Sequence, residues 1–143
     1  MAHSYTNLLY HILFSTKNRR RYVRPEIRNR LHQYIGGTIR ALGGVALEVN
    51  GVDDHIHAAA KMPPTISISD FVGKLKSNTS KWAKQHCAGF GWQEGYTAFT
   101  VSESQLPHLR QYIRDQEKHH RKMNFQEELT RLLKAHRIRV EEE

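Results

Sequence analysis

Asn50-Gly51-Val52-Asp53-Asp54-His55-Ile56-His57-Ala58-Ala59-Ala60 reads as a polar turn running into a strand. Side chains on a strand alternate between faces, so His55 and His57 share one face while Ile56 points to the other. Just upstream, Val45, Leu47 and Val49 alternate with Ala46, Glu48 and Asn50. That spells a second strand, and two strands joined by a short polar turn form an antiparallel hairpin. Ile56, Ala58, Ala60 and Met62 make the apolar side that looks toward a core. The His pair is thereby set on the opposite face, where two imidazoles on a rigid element supply half of a metal site.

Working outward, Tyr5 to Ser15 nearly alternates and reads as a first strand, with Leu8, Tyr10, Ile12 and Phe14 on one side and Asn7, His11 and Ser15 on the other. Pro25 suits the first turn of a helix, where its missing N–H costs nothing. Ile27, Leu31, Tyr34, Ile35 and Leu42 carry that helix to Gly43-Gly44, while Gly36-Gly37 inside it hint at a close backbone contact. After Pro63-Pro64, Ser67 and Asp70 resemble a capping box at the head of a helix whose apolar side is Ile68, Val72, Leu75, Thr79 and Trp82. Tyr96 to Ser102 alternates as a fourth strand, Pro107 opens a helix to about Lys122, and Asn124 with Glu127 caps a last one bearing Phe125, Leu129, Leu132 and Leu133. Glu141-Glu142-Glu143 is expected to fray.

The order strand, helix, strand, strand, helix, strand predicts an α+β fold, a ferredoxin-like βαββαβ sandwich with an antiparallel sheet plus C-terminal helices. Both crossover helices should cover one face, leaving the His pair on the open one. A length of 143 residues suits a single domain, 1–143. The one cysteine, Cys87, excludes an internal disulfide and a cysteine-rich zinc site. No secretory leader is recognisable and no apolar run approaches the ~20 residues of a bilayer span, so a cytoplasmic location with no membrane partner is expected.

Lys and Arg number 22 against 14 Asp and Glu, a formal charge of +8. Such a surplus on a small chain favours phosphate backbones as partners. The charge is clustered. Lys17, Arg19, Arg20 and Arg21 crowd the segment after the first strand and are the leading candidates for DNA contacts, with Lys74 and Lys81 behind them. The helix after Gln105 adds Arg114, Lys118, His119, His120 and Arg121. On that helix Tyr112 and Gln116 lie one turn apart on the same side. Together these parts suit phosphodiester cleavage by a protein nucleophile, which calls for a hydroxyl, a divalent ion and cations to hold the strand.

The sequence resembles the HUH-type single-tyrosine transposases of the smallest bacterial insertion sequences, and the related REP-associated tyrosine transposases. The resemblance rests on His55-Ile56-His57, the two histidines flanking a hydrophobic residue, followed by Tyr112-Ile113-Arg114-Asp115-Gln116 and His119-His120-Arg121. Matches also run through Tyr10-His11 to Lys17, Ser67 to Trp82, Trp92 to Tyr96 and Ala98 to Ser102.

The resemblance implies that Tyr112 is the nucleophile and that His55, His57 and Gln116 bind Mg²⁺ or Mn²⁺. It further implies cleavage and rejoining of single-stranded DNA hairpins at element ends through a 5′-phosphotyrosine link, without ATP, by a homodimer with shared active sites. His119 and His120 compete with Gln116 as third ligand, since imidazole binds transition metals better than an amide, whereas Mg²⁺ prefers oxygen. Two alternatives stand beside this: a non-catalytic ferredoxin-like nucleic-acid-binding module, and a host-domesticated nuclease acting on palindromic repeats. A paired-His phosphoesterase would need a second His-x-Ser or His-x-Thr, which is missing. An amidohydrolase would need a barrel of about 250 residues.

Overall fold

The computed structural model describes residues 3–140, so the acidic tail lies outside the described residues. Its elements follow the expected order: β1 (Leu8–Ser15), α1 (Pro25–Ala41), β2 (Val45–Gly51), β3 (His55–Met62), α2 (Ile68–His86), β4 (Thr97–Thr100), then α3 (Leu106–Arg114), α4 (Gln116–His119) and α5 (Phe125–Ala135). Local chemistry sets the boundaries. Pro25 stands in the first turn of α1, the Ser67 hydroxyl accepts from the Asp70 N–H at the head of α2, and Asn124 with Glu127 forms a reciprocal capping box on α5. Two strands are shorter than alternation suggested, β1 starting at Leu8 and β4 spanning Thr97–Thr100.

The sheet is antiparallel in the order β2-β3-β1-β4, the strand arrangement of a ferredoxin-like sandwich. β3 is central, pairing Gly51 with Ile56 on one flank and Leu13 with His57 on the other. Ile12, Phe14, Ile56, Ala58, Ala60 and Met62 join Leu31, Ile35 and Ile39 of α1 and Phe71, Val72 and Leu75 of α2 in one buried core. Between α1 and the sheet Gly36 makes only ordinary contact, since a Cβ there would meet the Ala46 Cβ at 3.7 Å. The close approach is at Gly51, where a Cβ would fall 2.2 Å from the His55 carbonyl oxygen. Only glycine allows β2 to turn this tightly into β3.

Two expectations are corrected. The second face of the sheet is not open: α3, α4 and α5 fold across it, and His55 and His57 are both 0% exposed. The reason is that this face also presents Leu13 and Phe99, which need cover, and the stripe of Phe125, Leu129, Leu132 and Leu133 on α5 supplies it. The helix after Pro107 is also not continuous to Lys122. It breaks at Asp115, where the Asn50 side-chain amide takes the carbonyls of Ile113 (2.9 Å) and Arg114 (3.1 Å) that a longer helix would use internally.

Candidate active site

The covered face holds a polar cluster inside an apolar frame. From β3 come His55 and His57, from α3 Tyr112, from α4 Gln116, from the turn after it His120, and from α5 Glu128. Glu128 is 1% exposed and ties the others together. Its Oε1 lies 3.2 Å from His55 Nε2, 3.0 Å from His57 Nε2 and 2.9 Å from His120 Nε2. Its Oε2 accepts hydrogen bonds from the Tyr112 hydroxyl and, at 2.9 Å, from Gln116 Nε2. One carboxylate thus faces imidazoles with one oxygen and the phenol with the other.

An outer ring of contacts orients these groups. His55 Nδ1 donates to Asp54 Oδ1 at 2.7 Å, and His57 Nδ1 shares a hydrogen bond of 2.8 Å with Nε2 of His11, a buried residue of β1. α3 is held over the sheet by the Asn50 amide, by buried Ile113 and by Glu48, whose carboxylate pairs with Arg110 (3.3 Å) and Arg114 (3.1 Å). Those contacts fix the turn of helix that carries Tyr112.

Electrostatics follow from the burial. Burial favours the neutral ring of His55, but hydrogen bonds to Asp54 and Glu128 outweigh it and raise the pKa to about 9. At His57 burial wins and lowers the pKa to about 4. Although burial alone would raise its pKa, Glu128 is held far below the usual carboxylate range by hydrogen bonds from His120, His55 and His57. Burial and the bond to Glu128 push the Tyr112 phenol well above its ordinary value, so it stays protonated at neutral pH.

His55, His57 and Glu128 offer ligand atoms within 4.8 Å of one another, all buried. Nitrogen and carboxylate donors at that spacing, each histidine steadied through its other ring nitrogen, fit a divalent ion. Of the expected ligands, His55, His57 and Gln116 are brought together, with Tyr112 beside them. Glu128 and His11 are additions. Glu128 had a signal in the sequence: it falls three residues after Phe125 and one before Leu129, an acid inside the apolar stripe of α5.

The basic candidates divide. Lys17, Arg19 and Arg20 are exposed in the segment after β1, and Arg21 there lies 3.6 Å from Asp53. Lys74 and Lys81 are exposed on α2, across the sheet from the His pair. Arg114 is ion-paired to Glu48, and Lys118 and Arg121 are exposed. His119 packs on the Tyr112 ring at 4.7 Å between centroids, and His120 turns inward to Glu128.

Residues 4–116 match the model of the family described as "Transposase IS200 like". The chain belongs to the IS200-like transposase family. The transposase for insertion sequence element IS200 of Salmonella typhimurium is 30% identical over 128 residues, covering 81% of each chain, and its Salmonella typhi counterpart matches equally. In fold, the chain is similar to a Deinococcus radiodurans R1 protein assigned as a transposase (TM-score 0.64, 24% identity, 81% of this chain and 96% of that one). It is also similar to a REP-associated tyrosine transposase bound to a REP hairpin (TM-score 0.63, 15% identity, 84% and 73% covered). A member of this family is a DNA-processing enzyme, and the buried polar cluster is where its chemistry can reside. The family match ends at Gln116, so His120 and Glu128 lie beyond it. Among the described residues no helix is long and apolar enough to cross a membrane.

Proposed function

We propose that this IS200-like transposase cleaves and rejoins single-stranded DNA through a covalent link to Tyr112. The supporting observation is that Tyr112 and the His pair meet through one side chain, Glu128. Tyr112 Oη attacks phosphorus, an O–P bond forms, and the P–O3′ bond breaks to leave a 5′-phosphotyrosine and a 3′-hydroxyl. Glu128 Oε2 accepts the phenolic hydrogen bond and so orients the hydroxyl, whose proton ends on the departing 3′ oxygen. The link conserves the phosphodiester energy, so a later 3′-hydroxyl can displace the tyrosine and rejoin strands without ATP.

His55 and His57, with Glu128 and the Gln116 carboxamide, would hold a divalent ion such as Mg²⁺ or Mn²⁺. When bound, it neutralises a non-bridging phosphate oxygen and makes phosphorus more electrophilic. Asp54 and His11 keep the ligating rings oriented. The substrate class is hairpin-forming single strands at element ends, a reading supported by the likeness to a hairpin-bound neighbour and by the +8 charge. Lys17, Arg19, Arg20 and Arg21 are the first candidates to grip it. The acting unit is one domain paired with a second copy in the cytoplasm; because Tyr112 meets the His pair of its own chain through Glu128, sharing of the two sites would require the copies to exchange their tyrosine helices.

The test uses Tyr112→Phe with single-stranded hairpin DNA. The expected result is loss of the covalent protein–DNA adduct on denaturing gels, with binding kept within a few-fold. An adduct that survives in this variant excludes Tyr112 as nucleophile.

A further inference from the structure

We infer that His120 is a third imidazole ligand of the metal centre, so that the site selects a transition ion over Mg²⁺. The inference rests on the metal site proposed above and concerns which side chains build it. Three observations carry it.

First, the three Nε2 atoms of His55, His57 and His120 converge on a single point, the Glu128 Oε1, at 3.2, 3.0 and 2.9 Å. Second, each ring is held from behind through Nδ1: His55 by Asp54 at 2.7 Å, His57 by His11 at 2.8 Å, and His120 by the Met123 carbonyl at 2.9 Å. An outer partner on the far nitrogen is how proteins fix the tautomer of a ligating histidine. A carboxylate and a carbonyl only accept, so Nδ1 of His55 and of His120 carries hydrogen. Nε2 of each ring is thereby the atom turned inward to the carboxylate oxygen, the geometry in which a cation would take the place of ring hydrogens as the carboxylate's partner.

Third, the geometry distinguishes His120 from its neighbours. His119 turns its ring to Tyr112 and leaves Nε2 without a partner, so it does not join the cluster. Gln116 Oε1 is 3.1 Å from both His55 Nε2 and His120 Nε2, but its amide nitrogen is spent on Glu128 Oε2. Three imidazoles and one carboxylate suit Mn²⁺, Co²⁺ or Zn²⁺, whereas Mg²⁺ prefers an all-oxygen octahedron and keeps its waters.

The experiment is Co²⁺ titration of the chelator-stripped full chain, followed by visible d–d absorption. Wild type should bind one Co²⁺ per chain, with Mg²⁺ displacing it only at a roughly hundred-fold or greater excess. His120→Ala should weaken Co²⁺ binding at least about ten-fold and shift the band. His120→Cys should gain a near-ultraviolet thiolate-to-cobalt charge-transfer band absent from wild type, which also contains Cys87. If His55→Ala abolishes binding while His120→Ala binds as wild type, the inference is overturned and the metal site stands. If neither variant changes binding, the metal site itself is wrong. Should His120→Ala fail to fold, His120→Cys decides: a folded, Co²⁺-loaded variant without the charge-transfer band overturns the inference.

Discussion

On one face of β3, Ile56, Ala58 and Ala60 lie buried beneath α1 and α2 among side chains that need only the right volume. On the other, His55 and His57 are equally buried beneath α3, α4 and α5, yet every nitrogen they carry has a partner. Alternate residues of one strand thus serve two kinds of interior. The apolar face can be packed by any well-shaped hydrophobic set, whereas the polar face is specified by a closed network whose members depend on one another. Damage to the first should cost stability and spare chemistry. Damage to the second should remove chemistry at a smaller cost in stability.

The largest stability loss is expected from the apolar face. Leu75→Ala removes a fully buried side chain of α2 and should cost about 2–5 kcal/mol by urea denaturation. Metal affinity of the folded fraction should be unchanged, and a large shift in it would show that the two faces are coupled. Glu128→Gln keeps the shape but removes the charge, and about 1–3 kcal/mol of stability should go with it. Metal binding should fall steeply, as read by calorimetric titration.

The same network sets a pH profile in chelator-treated protein. His55, raised from 6.5 to about 9, contributes stability that is whole below pH 6.5 and is lost as pH rises through about 9. His57 and His32, each lowered to about 4 by burial, contribute stability that is whole above pH 6.5 and is lost as pH falls through about 4. The melting temperature should therefore peak near neutrality, and Glu128→Gln should flatten the alkaline limb. A profile level from pH 6.5 to 9 would contradict the charged state assigned to His55. Smaller effects belong to the clamps on α3. Asn50→Ala should cost about 0.5–1.5 kcal/mol and slow adduct formation, because the Tyr112 turn loosens. Glu48→Ala breaks partly exposed ion pairs and should cost under about 1 kcal/mol.

The apolar face was legible because its signals are local: period-two alternation in β1, β2 and β3, proline at the head of α1, and the Ser67 and Asn124 caps. What covers the polar face was not. The stripe on α5 announces that something must be buried but carries no address, and only the tertiary fold sends it to Leu13 and Phe99. The break at Asp115 lacks a proline or glycine because its cause, Asn50, lies on another element. His55, His57, Tyr112 and Gln116 could be brought into one site from spacing and resemblance, while Glu128, one of two adjacent acids on a capped helix, was marked only by its place in the apolar stripe.

Gly51 touches none of the reacting groups, yet any side chain there would strike the His55 carbonyl. Because the turn cannot be re-spaced, β3 cannot slide one residue along β2 and exchange the histidines for Ile56. A scan for loss of transposition would then score Gly51 as severely as a histidine. Sequence drift at this position is barred by the geometry of a hairpin, with no ligand to reveal why.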